Sequence, residues 1–188
     1  MATLKQHVAG VAVLALAGIS VVHAQERYGI GHVATPAEIA GWNIDVNGST
    51  GKNLPAGSGS VQRGQMIFDQ RCAACHGAKG EGGIGDRLVG GEGTLASANP
   101  IRTVGSYWEY APTLFDYIRR AMPQNAPQSL SNDDVYAVSA YILNMNGLLP
   151  SDATLDAQTL SAIEMPNRKM FTGDPRPDVK NPACEKGC

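Results

Sequence analysis

The chain has 188 residues, 43% of them hydrophobic and 17% charged, with three Phe, two Trp and six Tyr. A formal charge of −2, from 15 Lys+Arg against 17 Asp+Glu, lacks the basic footprint that nucleic-acid binding needs. With 22 Gly and 11 Pro the chain is punctuated more heavily than a compact bundle requires, which fits one small domain with long arms and excludes a large catalytic α/β domain.

Residues 1–24 read as a secretory signal peptide. Lys5 gives a positive start, Val8 to Val22 carries no charge, and Val22-His23-Ala24 sets small side chains at the −3 and −1 positions before Gln25. The apolar run falls short of the ~20 residues of a membrane span, and no later segment is apolar enough to make one. An uncleaved N-terminal anchor is the alternative. Its removal takes one Lys and no acid, so the exported product is mildly acidic and expected to have no membrane span.

Residues 25–59 form an N-terminal arm that ends in the breaker Gly57-Ser58-Gly59-Ser60. Ser60 is a suitable helix N-cap. Behind it, VQRGQMIFDQRCAACH places Val61, Gly64 or Gln65, Phe68 and Cys72 on one helical face. Gly64 costs about 1 kcal/mol of helix propensity relative to Ala, a cost that makes sense if another helix crosses closely there, with Phe68 filling the crossing.

That helix leads into Cys72-Ala73-Ala74-Cys75-His76, the C-x-x-C-H attachment signal for a c-type haem. The chemistry needs these residues in this order: two thiols form thioethers to the porphyrin vinyl groups, and the adjacent imidazole ligates the iron. A thioredoxin-like pair would sit in a βαβ pattern, and none is visible. A zinc site needs two more ligands, whereas the mature chain offers only His32 and the distant pair Cys184 and Cys188. The Gly-rich stretch after His76 lacks the G-K-[ST] ending of a phosphate loop and is read as backbone passing close to the porphyrin edge.

Downstream, Thr113 with Asp116 forms a capping-box pattern ahead of the apolar face Leu114, Tyr117, Ile118 and Ala121, and Pro123 ends that helix. A second box at Ser131 and Asp134 opens a helix from about Asp133 to Asn146, with Val135, Val138, Ile142 and Met145 on one face and Gly147 as the stop. Five Met of the mature chain compete for the sixth iron position. Met122 is favoured because it follows a helix end, is fixed by Pro123, and lies between the haem motif and the last helix. Met165, His32 and an open site are the alternatives, while Met66 and Met145 suit helix faces. Trp108, Tyr107 and Tyr110 have two equal readings, as donors to haem propionates or as core. Arg102, Arg119 and Arg120 are read as solvated charges, with propionates or a partner's acids as the other role.

Residues 148–188 form a Pro-rich C-terminal arm with little apolar periodicity, expected to be extended. At its end Cys184 and Cys188 are expected to close a small disulfide loop, since free thiols seldom persist outside the cell interior.

The series GxxxFxxxCxxCH, a Met-Pro loop and a capped helix ending near YIL resembles a class I cytochrome c over roughly Ser60 to Gly147. The resemblance implies an all-α fold, a small helical domain (residues 60–147) around one covalent haem c, with extended N- and C-terminal arms. It also implies that Cys72 and Cys75 carry the haem and that His76 and Met122 are the axial ligands. A narrower resemblance rests on YGIGHVATPAEIAGWNIDV, GSGSVQRGQMIF, TVGSYWEYAPTLFDYIRRAMPQNAPQSLSNDDVYAVSAYILNMNG and MPNR. These segments are similar to cytochrome subunits of the bacterial sulfur-oxidising (Sox) system, which accompany a molybdenum-containing sulfite or sulfane dehydrogenase. Some members have two haems, but no second C-x-x-C-H follows Cys75 here. The resemblance implies a periplasmic electron-transfer protein whose partners are a molybdopterin dehydrogenase subunit and a downstream cytochrome or oxidase as acceptor. The residues beside the haem motif show no catalytic constellation, so a free shuttle or a haem enzyme acting directly on a sulfur substrate stands second.

Overall fold

A computed structural model describes residues 30–173; the expected signal peptide and the Cys184 and Cys188 pair lie outside them. The chain divides into two units between Ala40 and Gly41. The helix α1 (Pro36–Trp42), which starts in the first unit and ends just past the division, begins at a reciprocal cap: Glu38 N–H donates to Thr35 Oγ1 at 3.3 Å, and Thr35 N–H donates to Glu38 Oε2 at 2.7 Å. None of its residues is buried.

In the second unit the elements are β1 (Ser58–Ser60), α2 (Val61–Arg71), α3 (Ala73–His76), α4 (Ala111–Ala121), α5 (Asn132–Met145), β2 (Thr154–Asp156) and α6 (Ala157–Ser161). The sequence expectations for α2 hold: Ser60 Oγ accepts from Arg63 N–H at 3.2 Å, and Val61, Gly64 and Phe68 are its buried residues. The helix that crosses it is α5. A Cβ on Gly64 would collide with the Ala137 carbonyl and stand 2.8 Å from Tyr141 Cβ, and one on Gly59 would collide with the Ala137 amide. Phe68 meets Tyr141 edge-on at 5.4 Å between ring centroids. Outside the crossing, Arg63 Nη2 pairs with Asp134 Oδ1 at 2.7 Å.

The cap of α5 also stands as expected, with Ser131 Oγ accepting from Asp134 N–H at 3.2 Å. Eight residues of α5 are buried, more than one stripe, because β1, α2 and α4 all pack on it. Tyr136 lies against Phe115 of α4 at 4.4 Å and donates its hydroxyl to Pro55 O at 2.8 Å; burial pushes its phenol up to about 12. Gly147, at φ +72°, ends the helix: its N–H reaches Asn144 O at 2.8 Å and that of Leu148 reaches Leu143 O at 3.0 Å.

Two local expectations need correction. Helix α4 starts at Ala111 rather than at Thr113, with Pro112 in its first turn and no side-chain cap on Tyr110. Asp116 is drawn to other donors, accepting Val46 N–H at 3.0 Å and the Arg120 guanidinium at 2.8 Å. The C-terminal arm is not wholly extended either. β2 pairs antiparallel with β1 in the register Ser58↔Asp156, Gly59↔Leu155 and Ser60↔Thr154. Asp156 then caps α6 through Thr159, and Leu155, Leu160 and Met165 enter the core.

The crossing yields a signed prediction. Gly64→Ala should lower the stability of the haem-loaded protein by ~1–3 kcal/mol in chemical denaturation, the usual range for overpacking. Propensity alone would raise it by about 1 kcal/mol.

Candidate haem site

Helix α2 delivers Cys72, whose N–H closes the helix on Phe68 O at 2.8 Å. The single turn α3 follows, with the N–H groups of Cys75 and His76 both returning to Cys72 O, at 3.1 and 3.0 Å. A spacing of three along one turn sets the two sulfurs on one side of the helix. Cys72 is half-buried against the core and Cys75 is exposed. Burial, reinforced by the neighbouring Cys75, pushes the Cys72 thiol up to about 11.

After His76 the chain turns at Gly77 (φ +81°) and folds back under the motif. Gly82 N–H reaches His76 O at 2.8 Å and Gly85 N–H reaches Cys75 O at 2.9 Å. This approach brings the Asp86 carbonyl 2.7 Å from His76 Nδ1. A carbonyl only accepts, so Nδ1 holds the ring proton and Nε2 is left with its lone pair free for a metal. Gly85 makes room for the ring: a Cβ there would stand 2.8 Å from Cε1 and 2.9 Å from Nδ1. Two thiols and an imidazole with its outer nitrogen free are the donor set that a covalent haem requires. Among the described residues no group of three or more His, Cys, Asp or Glu is placed to hold a bare metal ion.

Met122 is the C-cap of α4, in extended conformation, and packs half-buried against the core. The other methionines are placed differently. Met66 and Met170 are 59% and 72% exposed, Met145 sits on α5, and Met165, at 1% exposure, is an apolar core residue. His32 lies in the first unit and bonds Glu38 at 3.2 Å.

The loop ahead of α4 carries the aromatic residues. Trp108 packs edge-on against Tyr117 of α4 at 5.9 Å, Tyr107 against Phe171 at 5.5 Å, and Arg168 lies 5.3 Å over the Tyr110 ring. Asn167 Nδ2 donates to Tyr107 O at 2.6 Å, tying the C-terminal segment to this loop. Arg119 and Arg120 are engaged within the protein, by Ile44 O at 3.2 Å and by Asp116, and Arg102 stacks 5.6 Å over Tyr107. Sequence reasoning did not find the Asp86 carbonyl, because a backbone acceptor leaves no mark in residue identity.

The family model for cytochrome c matches residues 61–146. A solved structure, a chain of the sulfane dehydrogenase SoxCD from Paracoccus pantotrophus, is 39% identical, with a TM-score of 0.74 over 84% of this chain and 77% of that one. The chain belongs to the cytochrome c family. No curated protein matches it. The fold is therefore that of a class I cytochrome c, the cofactor is one covalently attached haem c, and the function is electron transfer. No helix among the described residues of this cytochrome is long and apolar enough to cross a membrane.

Gly85→Ala should press the His76 ring away from the Asp86 carbonyl. Nitrogen-15 NMR of the haem-loaded cytochrome should then show the Nδ1–H signal moving toward that of a solvent-bonded imidazole. An unchanged signal would mean that the ring has room the geometry denies.

Proposed function

We propose that this protein is the periplasmic, electron-accepting cytochrome subunit of a sulfur-compound dehydrogenase of the sulfite or sulfane type, and not itself the catalyst. One observation carries the reading. The likeness to the SoxCD chain extends over 84% of the sequence, well beyond the residues 61–146 that define a generic cytochrome c. Features shared outside the haem domain support a shared partner rather than a shared cofactor alone. That partner is a molybdopterin subunit, which would hold the sulfur substrate; a downstream cytochrome or oxidase takes the electron onward.

In this reading Cys72 and Cys75 would hold the haem by thioethers, and His76 Nε2 and Met122 would be the ligands to its iron. The bound haem supplies one-electron exchange at its iron. Asp86 O keeps the His76 proton on Nδ1 and so fixes the ring's tautomer and orientation. A Met thioether opposite a His raises the reduction potential and closes the iron to small ligands. The core position of Met165 and the bond of His32 to Glu38 support Met122 over both.

Two measurements test these statements. Met122→His should leave haem attached, lower the reduction potential, and abolish the near-infrared sulfur-to-iron band of the oxidised protein. If the band persists there and Met165→Ala removes it, the ligand is Met165. Co-expression with the molybdenum subunit should give an equimolar assembly that survives moderate salt. A cytochrome that always elutes as a monomer and accepts electrons equally well from unrelated donors is a free shuttle.

A further inference from the structure

We infer that Asn146 is a positioning residue for the haem iron: its side-chain amide holds the loop whose carbonyl sets the state of His76. The inference rests on His76 being the axial ligand and extends that reading to a residue outside the motif.

Asn146 is the C-cap of α5. Its Nδ2 donates to Leu88 O at 3.2 Å and to Ile142 O at 2.9 Å. The helix end is already complete without that amide. Backbone N–H groups of Asn146, Gly147 and Leu148 reach Ile142 O, Asn144 O and Leu143 O at 3.2, 2.8 and 3.0 Å. The one new partner that the side chain gains is therefore Leu88 O.

The other end of the amide fixes its orientation. Asn146 Oδ1 is buried, has no hydrogen-bond partner among the described residues, and faces Gly105, where a Cβ would collide with it. Turning the amide over would set its oxygen against two carbonyls, so the orientation is fixed.

Leu88 lies two residues beyond Asp86, whose carbonyl receives the His76 proton at 2.7 Å. Other bonds tie the same segment: Gly85 N–H to Cys75 O at 2.9 Å, Leu88 and Val89 N–H to Gly80 O at 2.9 and 3.1 Å, Arg87 Nε to Glu81 O at 3.0 Å, and Thr103 Oγ1 to Gly90 O at 2.6 Å. Among these, the Asn146 bond is the one that references the loop to α5. Without it the Asp86 carbonyl has more freedom to leave Nδ1, and an axial imidazole that loses its acceptor donates less charge to the iron. Ferric iron is then less favoured and the reduction potential rises.

The test compares haem-loaded full-length variants. Asn146→Ala removes both donations, Asn146→Ser keeps a short donor and is the milder change, and Asn144→Ala is the control. Asn144 Nδ2 makes an equivalent bond from the same helix end, to Leu149 O at 2.8 Å and away from the haem loop. The potential should rise in the order wild type, Asn146→Ser, Asn146→Ala, with Asn144→Ala unchanged. Solvent exchange of His76 Nδ1–H should quicken by roughly tenfold in Asn146→Ala, the factor that one hydrogen bond of ordinary net strength represents. Equal potentials and equal exchange, with stability lost in all three variants alike, would make Asn146 a helix cap and nothing more. Iron-shifted ring protons of His76 in the wild type report the ligation itself. Their absence would overturn the ligand assignment rather than the role of Asn146 alone.

Discussion

Where Gly59 and Gly64 lie against Ala137, backbone meets backbone, and the rest of the second unit is arranged around that contact. Removing two side chains lets α5 sit closer to β1 and α2 than ordinary helix packing, with its 8–10 Å axial separation, would favour. Phe68 and Tyr141 then fill the space one turn further along, and Arg63 with Asp134 closes the rim. Partial burial alone would raise the Asp134 carboxyl, but the Ser131 hydroxyl and the Arg63 guanidinium outweigh it and hold it below the usual range. The position of Cys72 follows from the crossing, since it is the residue that ends α2.

Much of this was legible in the residues because it depends on short-range rules. Ser60 and Ser131 announce helix starts, and Gly64 with Phe68 announces a crossing at helical spacing. C-x-x-C-H announces its own chemistry. The start of α4 was not legible: Thr113 and Asp116 match a capping box, but Asp116 is recruited by Val46 and Arg120, which only the tertiary fold brings near. The strand and helix after Pro150 were hidden for a different reason. Their buried residues, Leu155, Leu160 and Met165, recur every five positions and match neither a strand's period of two nor a helix's 3.6. The proximal acceptor Asp86 O was hidden because it is main chain.

The C-terminal segment changes what kind of cytochrome this is. By adding β2 to β1 and burying Leu155, Leu160 and Met165, it supplies core that a minimal haem domain would have to find elsewhere. Asn167, Arg168 and Phe171 then engage the Tyr107 to Tyr110 loop from outside. Tyr107, Trp108 and Tyr110 are consequently oriented by protein contacts, whatever further partners they meet. Residues 148–173 are thus part of the fold and not an appendage, which accords with a structural likeness that runs past residue 146.

The glycine content of the loop after His76 poses an energetic problem that the fold answers. Gly77, Gly80, Gly82, Gly90 and Gly91 all adopt positive φ, and each loses more chain freedom on folding than another residue would. Electron transfer rewards a site that need not rearrange, so this loop must be held by something stiff. The stiff element is α5, which is anchored at Ala137 by the glycine crossing and ends nine residues later at Asn146, roughly 13 Å along its axis. Its near end fixes α2 and therefore Cys72, and its far end bonds Leu88, two residues from the acceptor of His76. The segment carrying the thiols and the segment orienting the imidazole are far apart along the backbone of the loop, yet both are referenced to one helix. A shift of either relative to the other would have to bend α5 or break a contact at one of its ends, and would break the direct bond from Gly85 N–H to Cys75 O as well.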